Sequence, residues 1–154
     1  MKFRHFRLPI VHLVRLAMVC VGLGACGSEE DASIDDLVDA LIDDSNLRAE
    51  EICDCSVALG YTSRAECVDD FGYLGPSRRR CIKEAYAKDE AASRQYLECL
   101  LPLSQELSSC VNERLVCTDF SSVAVCLDDY DVGWESCIGL PGSVARELAS
   151  CYSQ

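Results

Sequence analysis

The side chains best suited to chemistry are the thiols: Cys53, Cys55, Cys67, Cys81, Cys99, Cys110, Cys117, Cys126, Cys137 and Cys151. Thiols at this density either hold a metal or are oxidised in pairs. Zinc sites use Cys-x2-Cys knuckles brought together two at a time, and the one close pair here is Cys53-Asp54-Cys55. Structural disulfides are therefore expected, and no metal. Both histidines, His5 and His12, lie near the N-terminus and none follows. Most of the chain thus lacks the commonest general base, triad partner and metal ligand. It also has no Gly-x-Ser-x-Gly elbow, glycine-rich phosphate loop or Cys-x-x-Cys-His haem site. The expectation is a non-enzymatic protein without a cofactor.

Three other constellations stand out in the chain. Asp129-Tyr130-Asp131-Val132-Gly133 opens like a calcium loop, but the glycine comes one place early and position twelve would be Leu140 rather than a glutamate. Its acids read as a solvated helix face. Arg78-Arg79-Arg80 lies near a helix start, where cations oppose the dipole, and reads as a solvated triplet. Tyr130 and Trp134, spaced i and i+4, are expected in the core. The 26 carboxylates could work in pairs as acid and base. A carboxylate-dependent hydrolase of the cell envelope is therefore the alternative function, although no two acids stand out.

The N-terminal residues bear on where the thiols reside. Lys2, Arg4, Arg7 and Arg15 precede the apolar run Leu16 to Leu23. That run is too short for a bilayer span, which takes roughly 20 apolar residues, and is read as a secretory signal. Leu23-Gly24-Ala25-Cys26 resembles the lipobox of bacterial lipoproteins. The resemblance implies cleavage before Cys26 and diacylglycerol on its sulfur, so that the protein meets a membrane through that lipid. Gly27 follows, where enteric-type sorting uses aspartate to retain a lipoprotein in the inner membrane, so the outer membrane is the expected site. The division expected is a signal peptide at 1–25, a lipidated tether at 26–33 and a cysteine-rich domain at 34–154. All 26 acids and ten of the 14 cations lie beyond Cys26, a charge of −16 there. Such a charge disfavours nucleic acid and points to a basic protein as partner.

The elements that must position these residues read as helices. Ile34, Leu37, Val38, Leu41 and Ile42 share one helical face after Ser33, giving a helix over 34–43. A second helix is expected from about Leu47 to Leu59, stopping at Gly60. Ser63 and Glu66 form a capping box for a short third helix that ends at Gly72. Ser77 is expected to cap a long stretch reaching about Glu113, kinked near Leu100 by Pro102. One helix over about 120–137 and a short one starting at Ser143 follow. No segment alternates with period two, so the fold class is all-α.

The cysteine spacing tests that reading. Cys99 and Cys110 are 11 residues apart, as are Cys126 and Cys137. Eleven helical steps of ~100° fall within about 20° of three full turns, so each pair faces one way. The members of a pair stand ~16 Å apart along the axis, beyond the ~7 Å reach of a disulfide, so each bonds to another helix. Cys99 with Cys137, and Cys110 with Cys126, share residue 118 as midpoint. That is the register of an antiparallel hairpin, about 77–113 with 119–138, at the heart of a small disulfide-stapled bundle. Cys53 and Cys55 point to opposite sides and need different partners. Cys55 and Cys67, each six residues from Tyr61, are expected to pair. Cys53, Cys81, Cys117 and Cys151 remain, with three pairings open.

The hairpin resembles the twin-cysteine helical hairpins of small mitochondrial proteins, whose pairs are one residue closer. That likeness spans about forty residues and implies the hairpin alone. Cys53-Asp54-Cys55, the stretch Leu59-Gly60-Tyr61-Thr62-Ser63-Arg64-Ala65-Glu66-Cys67, the twin pairs and Cys151 together resemble the cysteine-rich helical lipoproteins of myxobacteria. This second likeness spans most of the chain beyond Cys26. It implies fold and location and carries no activity.

Overall fold

The structure, a computed structural model, describes residues 32–153. The expected signal peptide, the lipobox-like residues and Cys26 lie outside the described residues. Six helices follow in order: α1 (Ile34–Ile52), α2 (Arg64–Asp70), α3 (Pro76–Tyr86), α4 (Glu90–Arg114), α5 (Ser121–Glu135) and α6 (Gly142–Tyr152). No described helix is long and apolar enough to cross a membrane. The fold of the described residues is the all-α, disulfide-stapled bundle expected.

α1 starts at a complete capping box: the Ser33 hydroxyl accepts from the Asp36 amide, and the Asp36 carboxylate accepts from the Ser33 amide, both at 3.1 Å. The helix then runs unbroken to Ile52, where two separate helices were expected. Asp44, Ser45 and Asn46 are weak helix formers, but tertiary bonds hold their segment. Asn46 is buried and clamps the backbone of Leu74, accepting from its amide at 2.8 Å and donating to its carbonyl at 3.3 Å. Arg48 reaches across to Ser108 at 2.7 Å on α4. A short 3-10 turn at Cys53–Cys55 ends α1, in place of the helix expected to continue to Leu59. Gly60 and Gly72 both take positive φ, as left-handed turn residues should.

α2 begins as expected at Ser63, whose hydroxyl accepts from the Glu66 amide at 3.1 Å. The Glu66 carboxylate takes the Thr62 amide rather than that of Ser63. α3 is capped at Gly75 with Pro76 in its first turn, not at Ser77; proline suits that position because its missing N–H would be unpaired there anyway. The long stretch breaks at Ala87–Asp89 and not near Leu100. At the break Asp89 caps α4 through the Ala92 amide at 3.2 Å. The Ser93 hydroxyl donates to the Tyr86 carbonyl at 2.7 Å, so the ends are paired on both sides. Pro102 sits inside a continuous α4 with its ring exposed. There the bond it removes faces water and costs the fold no buried group.

α1 packs on α4, α4 on α5, and α3 on α6 and α1. The main core gathers Val38 and Ile42 of α1, Ile82, Ala85 and Tyr86 of α3, Leu97 of α4 and Val144 and Leu148 of α6. A smaller core under the hairpin holds Leu107, Val111, Val123 and Cys126. α5 thus leans mainly on α4, and α6 mainly on α3.

Candidate ligand-binding groove

The ten thiols are spent first. The structure joins Cys53 to Cys67, Cys55 to Cys117, Cys81 to Cys151, Cys99 to Cys137 and Cys110 to Cys126. The two hairpin bridges have the antiparallel register that the 11-residue spacing requires. The expected Cys55–Cys67 pair is replaced. In the 3-10 turn Cys53 and Cys55 do point apart, and it is Cys53 that faces α2, while Cys55 faces the link after α4. No cysteine among the described residues is left as a thiol. No described group of three or more histidine, cysteine or carboxylate side chains is placed to hold a metal ion.

Asp129–Gly133 lies within α5, so its carboxylates diverge around a helix and form no loop. Of the arginine triplet, Arg79 is recruited by Asp39 at 3.0 Å and by Asp43. Lys83 joins Asp39 at 2.7 Å. These partners hold the Asp39 carboxyl below the ordinary carboxylate range, the Lys83 hydrogen bond contributing most. The cluster ties α3 to α1.

Trp134 departs from expectation most: it is 49% exposed and not in the core. Its Nε1–H donates to the Tyr96 hydroxyl at 2.9 Å, which spans from α5 to α4 and fixes the indole. Gly133 helps α5 sit close, since a Cβ there would stand 2.7 Å from a Leu103 methyl. Beside this pair opens a hollow of about 340 Å³ lined by Tyr96, Trp134, Glu135, Cys137, Leu140 and Ala145. A second hollow, about 140 Å³, is lined by Arg48, Leu100, Ser104, Tyr130 and Tyr152 among others.

The first hollow lies between α5 and α6 over Tyr96 of α4. The second is a separate one, lined by α1 and α3 residues as well as by Leu100 and Ser104 of α4, Tyr130 and Tyr152. Tyr86, only 3% exposed, stands near Tyr96, Tyr130 and Tyr152. Burial pushes the Tyr86, Tyr130 and Tyr152 phenols up, and the neighbouring phenols of the group add to the shift at Tyr86 and Tyr152. These three therefore stay protonated at neutral pH and keep O–H groups to donate. Four of the six tyrosines thus stand near one another, and Tyr96 holds the sole tryptophan by its hydrogen bond.

Arg48 at the second hollow is already engaged. It pairs with Asp44 at 3.0 Å, and the Ser104 hydroxyl bonds the same carboxylate at 2.5 Å. Glu135 is the charge at the first hollow, and Asp131 acts on Tyr130 from the same helix.

Reading the sequence drew attention to Tyr130 and Trp134 but missed Tyr96 and Tyr152. The available signal was Tyr96 four residues before Leu100 on a predicted helix. Nothing local marks Tyr152 as their neighbour. A separate hollow of about 170 Å³ between α4 and α5 is lined by Glu106 and Asp129, both exposed. No protein family, curated protein or solved structure matches this chain.

Proposed function

We propose that this chain is a lipid-anchored, non-enzymatic protein of the bacterial envelope, held through Cys26 and binding a basic protein partner at the hollow between α5 and α6. The observation that carries the reading is the sole tryptophan. It is half exposed, yet pinned by a hydrogen bond to Tyr96 at the rim of that hollow. Rigid, partly exposed Trp and Tyr side chains lose little conformational entropy on binding and dominate interface energetics. The charge of −16 beyond Cys26 steers a cationic partner toward them. The lipobox resemblance supports the anchor, and Gly27 supports the outer membrane.

Two measurements test this. Cys26→Ser is expected to abolish lipidation and release the protein from the membrane, because stable anchoring needs at least two acyl chains. A membrane-bound Cys26→Ser protein with an unchanged N-terminal lipopeptide mass rules out the anchor. Affinity capture from the native envelope is expected to yield a basic protein that is released as salt rises and lost from Trp134→Ala. The second reading, a carboxylate hydrolase, draws on Glu106 and Asp129, which face one hollow from two helices. Saturable hydrolysis by the purified protein, lost in Glu106→Gln, would favour it.

A further inference from the structure

We propose that Cys117 is a site of thiol–disulfide exchange, at which an external thiolate opens the Cys55–Cys117 bridge while the other four bridges stay closed. The inference goes beyond the binding reading and does not draw on the Trp134 hollow. Access is the first argument. Among the ten bridged cysteines Cys117 alone is exposed; its partner Cys55 is buried, and the other eight are buried or half-buried. Cys117 sits in a tight turn after α4, closed by the Asp119 amide donating to the Val116 carbonyl at 2.9 Å. Its neighbours Val116, Thr118 and Asp119 are exposed with it, so no element packs over the turn. Exchange begins with a thiolate reaching one sulfur of the disulfide, and both the rate and the sulfur attacked depend on access. A bridge that runs from an exposed residue to a buried one is approached from solvent at its exposed end. Exposed bridges are also the labile ones among disulfides.

The balance of the step follows. A bond forms between the external sulfur and Cys117 Sγ, the bond from Cys117 Sγ to Cys55 Sγ breaks, and its electron pair leaves on Cys55, which takes a proton from water. There is no net oxidation: the products are a mixed disulfide on Cys117 and a thiol on Cys55. Cys53, two residues away, faces α2 through its own bridge to Cys67, on the other side of the 3-10 turn. The released Cys55 is thus directed back to Cys117 and not into that bridge, which makes the exchange reversible.

Confinement is the third argument. The Cys55–Cys117 bridge is the covalent tie between the end of α1 and the link after α4. When it opens, Cys53–Cys67 still holds the 3-10 turn to α2. Cys110–Cys126 still joins α4 to α5, and the Ser122 hydroxyl still donates to the Arg114 carbonyl at 2.7 Å. Opening therefore frees the link from α1 and leaves the hairpin standing. Tyr96, which holds Trp134, and Arg114, which precedes the link, are 18 residues apart on α4, ~27 Å of helix at 1.5 Å per residue. Trp134 emission is thus a remote reporter that responds to unfolding and not to this bridge.

The intact, oxidised protein would be treated with 2-mercaptoethanol under native conditions, quenched with acid, its free thiols alkylated, and its peptides mapped. The expected first product carries the mercaptoethanol adduct on Cys117 and the alkyl group on Cys55. It should form at least tenfold faster than any other bridge opens, with Trp134 emission unchanged. Another bridge opening first, the adduct on Cys55 instead of Cys117, or all five bridges lost together with a shift in emission would each overturn the inference. Glutathione, and a protein thiol of the Cys-x-x-Cys class whose second cysteine has been replaced so that its adduct persists, distinguish the two sources of such a thiolate. An adduct on Cys117 with either supports the inference, and the faster names the source; no adduct with either overturns it.

Discussion

Asn46 shows how one buried polar side chain can set a loop. Its amide makes two bonds to the backbone of Leu74 and so holds the 72–75 link against α1. Removing it strands both Leu74 groups in the core. Asn46→Ala is expected to cost about 1–3 kcal/mol, measured by urea unfolding with the disulfides intact. Asp39 illustrates the surface case. Its carboxyl lies below the ordinary range because of Lys83 and Arg79, so it binds its proton less readily folded than unfolded. Its stabilisation is therefore complete above the unfolded carboxylate pKa of about 4 and is lost as pH falls through the lower folded value. Asp39→Asn should lower neutral-pH stability by about 0.5–1 kcal/mol, since the pair is partly exposed and screened. It should also flatten the acid limb of the stability curve. An unchanged limb would show that other carboxylates set it.

At the scale of elements, propensity and packing disagree in two places, and packing wins in both. α1 passes through Asp44-Ser45-Asn46 because three side chains there find partners outside the helix: Asp44 and Arg48 at Ser104 and Ser108, Asn46 at Leu74. α4 passes through Pro102 because the ring is exposed. A proline in a helix interior is ~3 kcal/mol worse than alanine, partly offset by the entropy it removes from the unfolded chain. Pro102→Ala should thus stabilise the protein by about 1–2 kcal/mol and leave the Trp134 emission unchanged. A destabilised variant would mean that the proline is needed to bend α4 around the core.

For the molecule as a whole, the bridges differ in the length of chain they close. Cys81–Cys151 has a sequence separation of 70 and Cys110–Cys126 one of 16. Loop-closure entropy assigns them roughly 4 and 3 kcal/mol respectively. Replacing Cys81 and Cys151 by serine should therefore lower stability more than replacing Cys110 and Cys126. It should also alter the Trp134 emission, because Ala145 of α6 lines the hollow beside Trp134 and α6 rests mainly on α3. The reverse order would show that the denatured chain is already compact near α6. α5 and α6 belong to different cores, and the Trp134 hollow lies between them.

The sequence by itself determined the fold class, the commitment of sulfur to bridges and the antiparallel hairpin. Helical period and cysteine spacing are local quantities that survive without coordinates. Eleven residues is close to three turns wherever the helix lies, so two such pairs with one midpoint specify their partners. Tertiary structure alone decided the partners of Cys53, Cys55, Cys67, Cys81, Cys117 and Cys151, which depend on how α2, α6 and the link after α4 fold back. It also decided that Trp134 faces water. On the helical wheel Trp134 belongs with Tyr130 and Cys126, and its exposure follows only because no element packs over that end of α5. Tyr96 and Tyr152 are 56 positions apart, and they come near each other because the bridge from Cys151 to Cys81 of α3 holds α6 in the main core with α4.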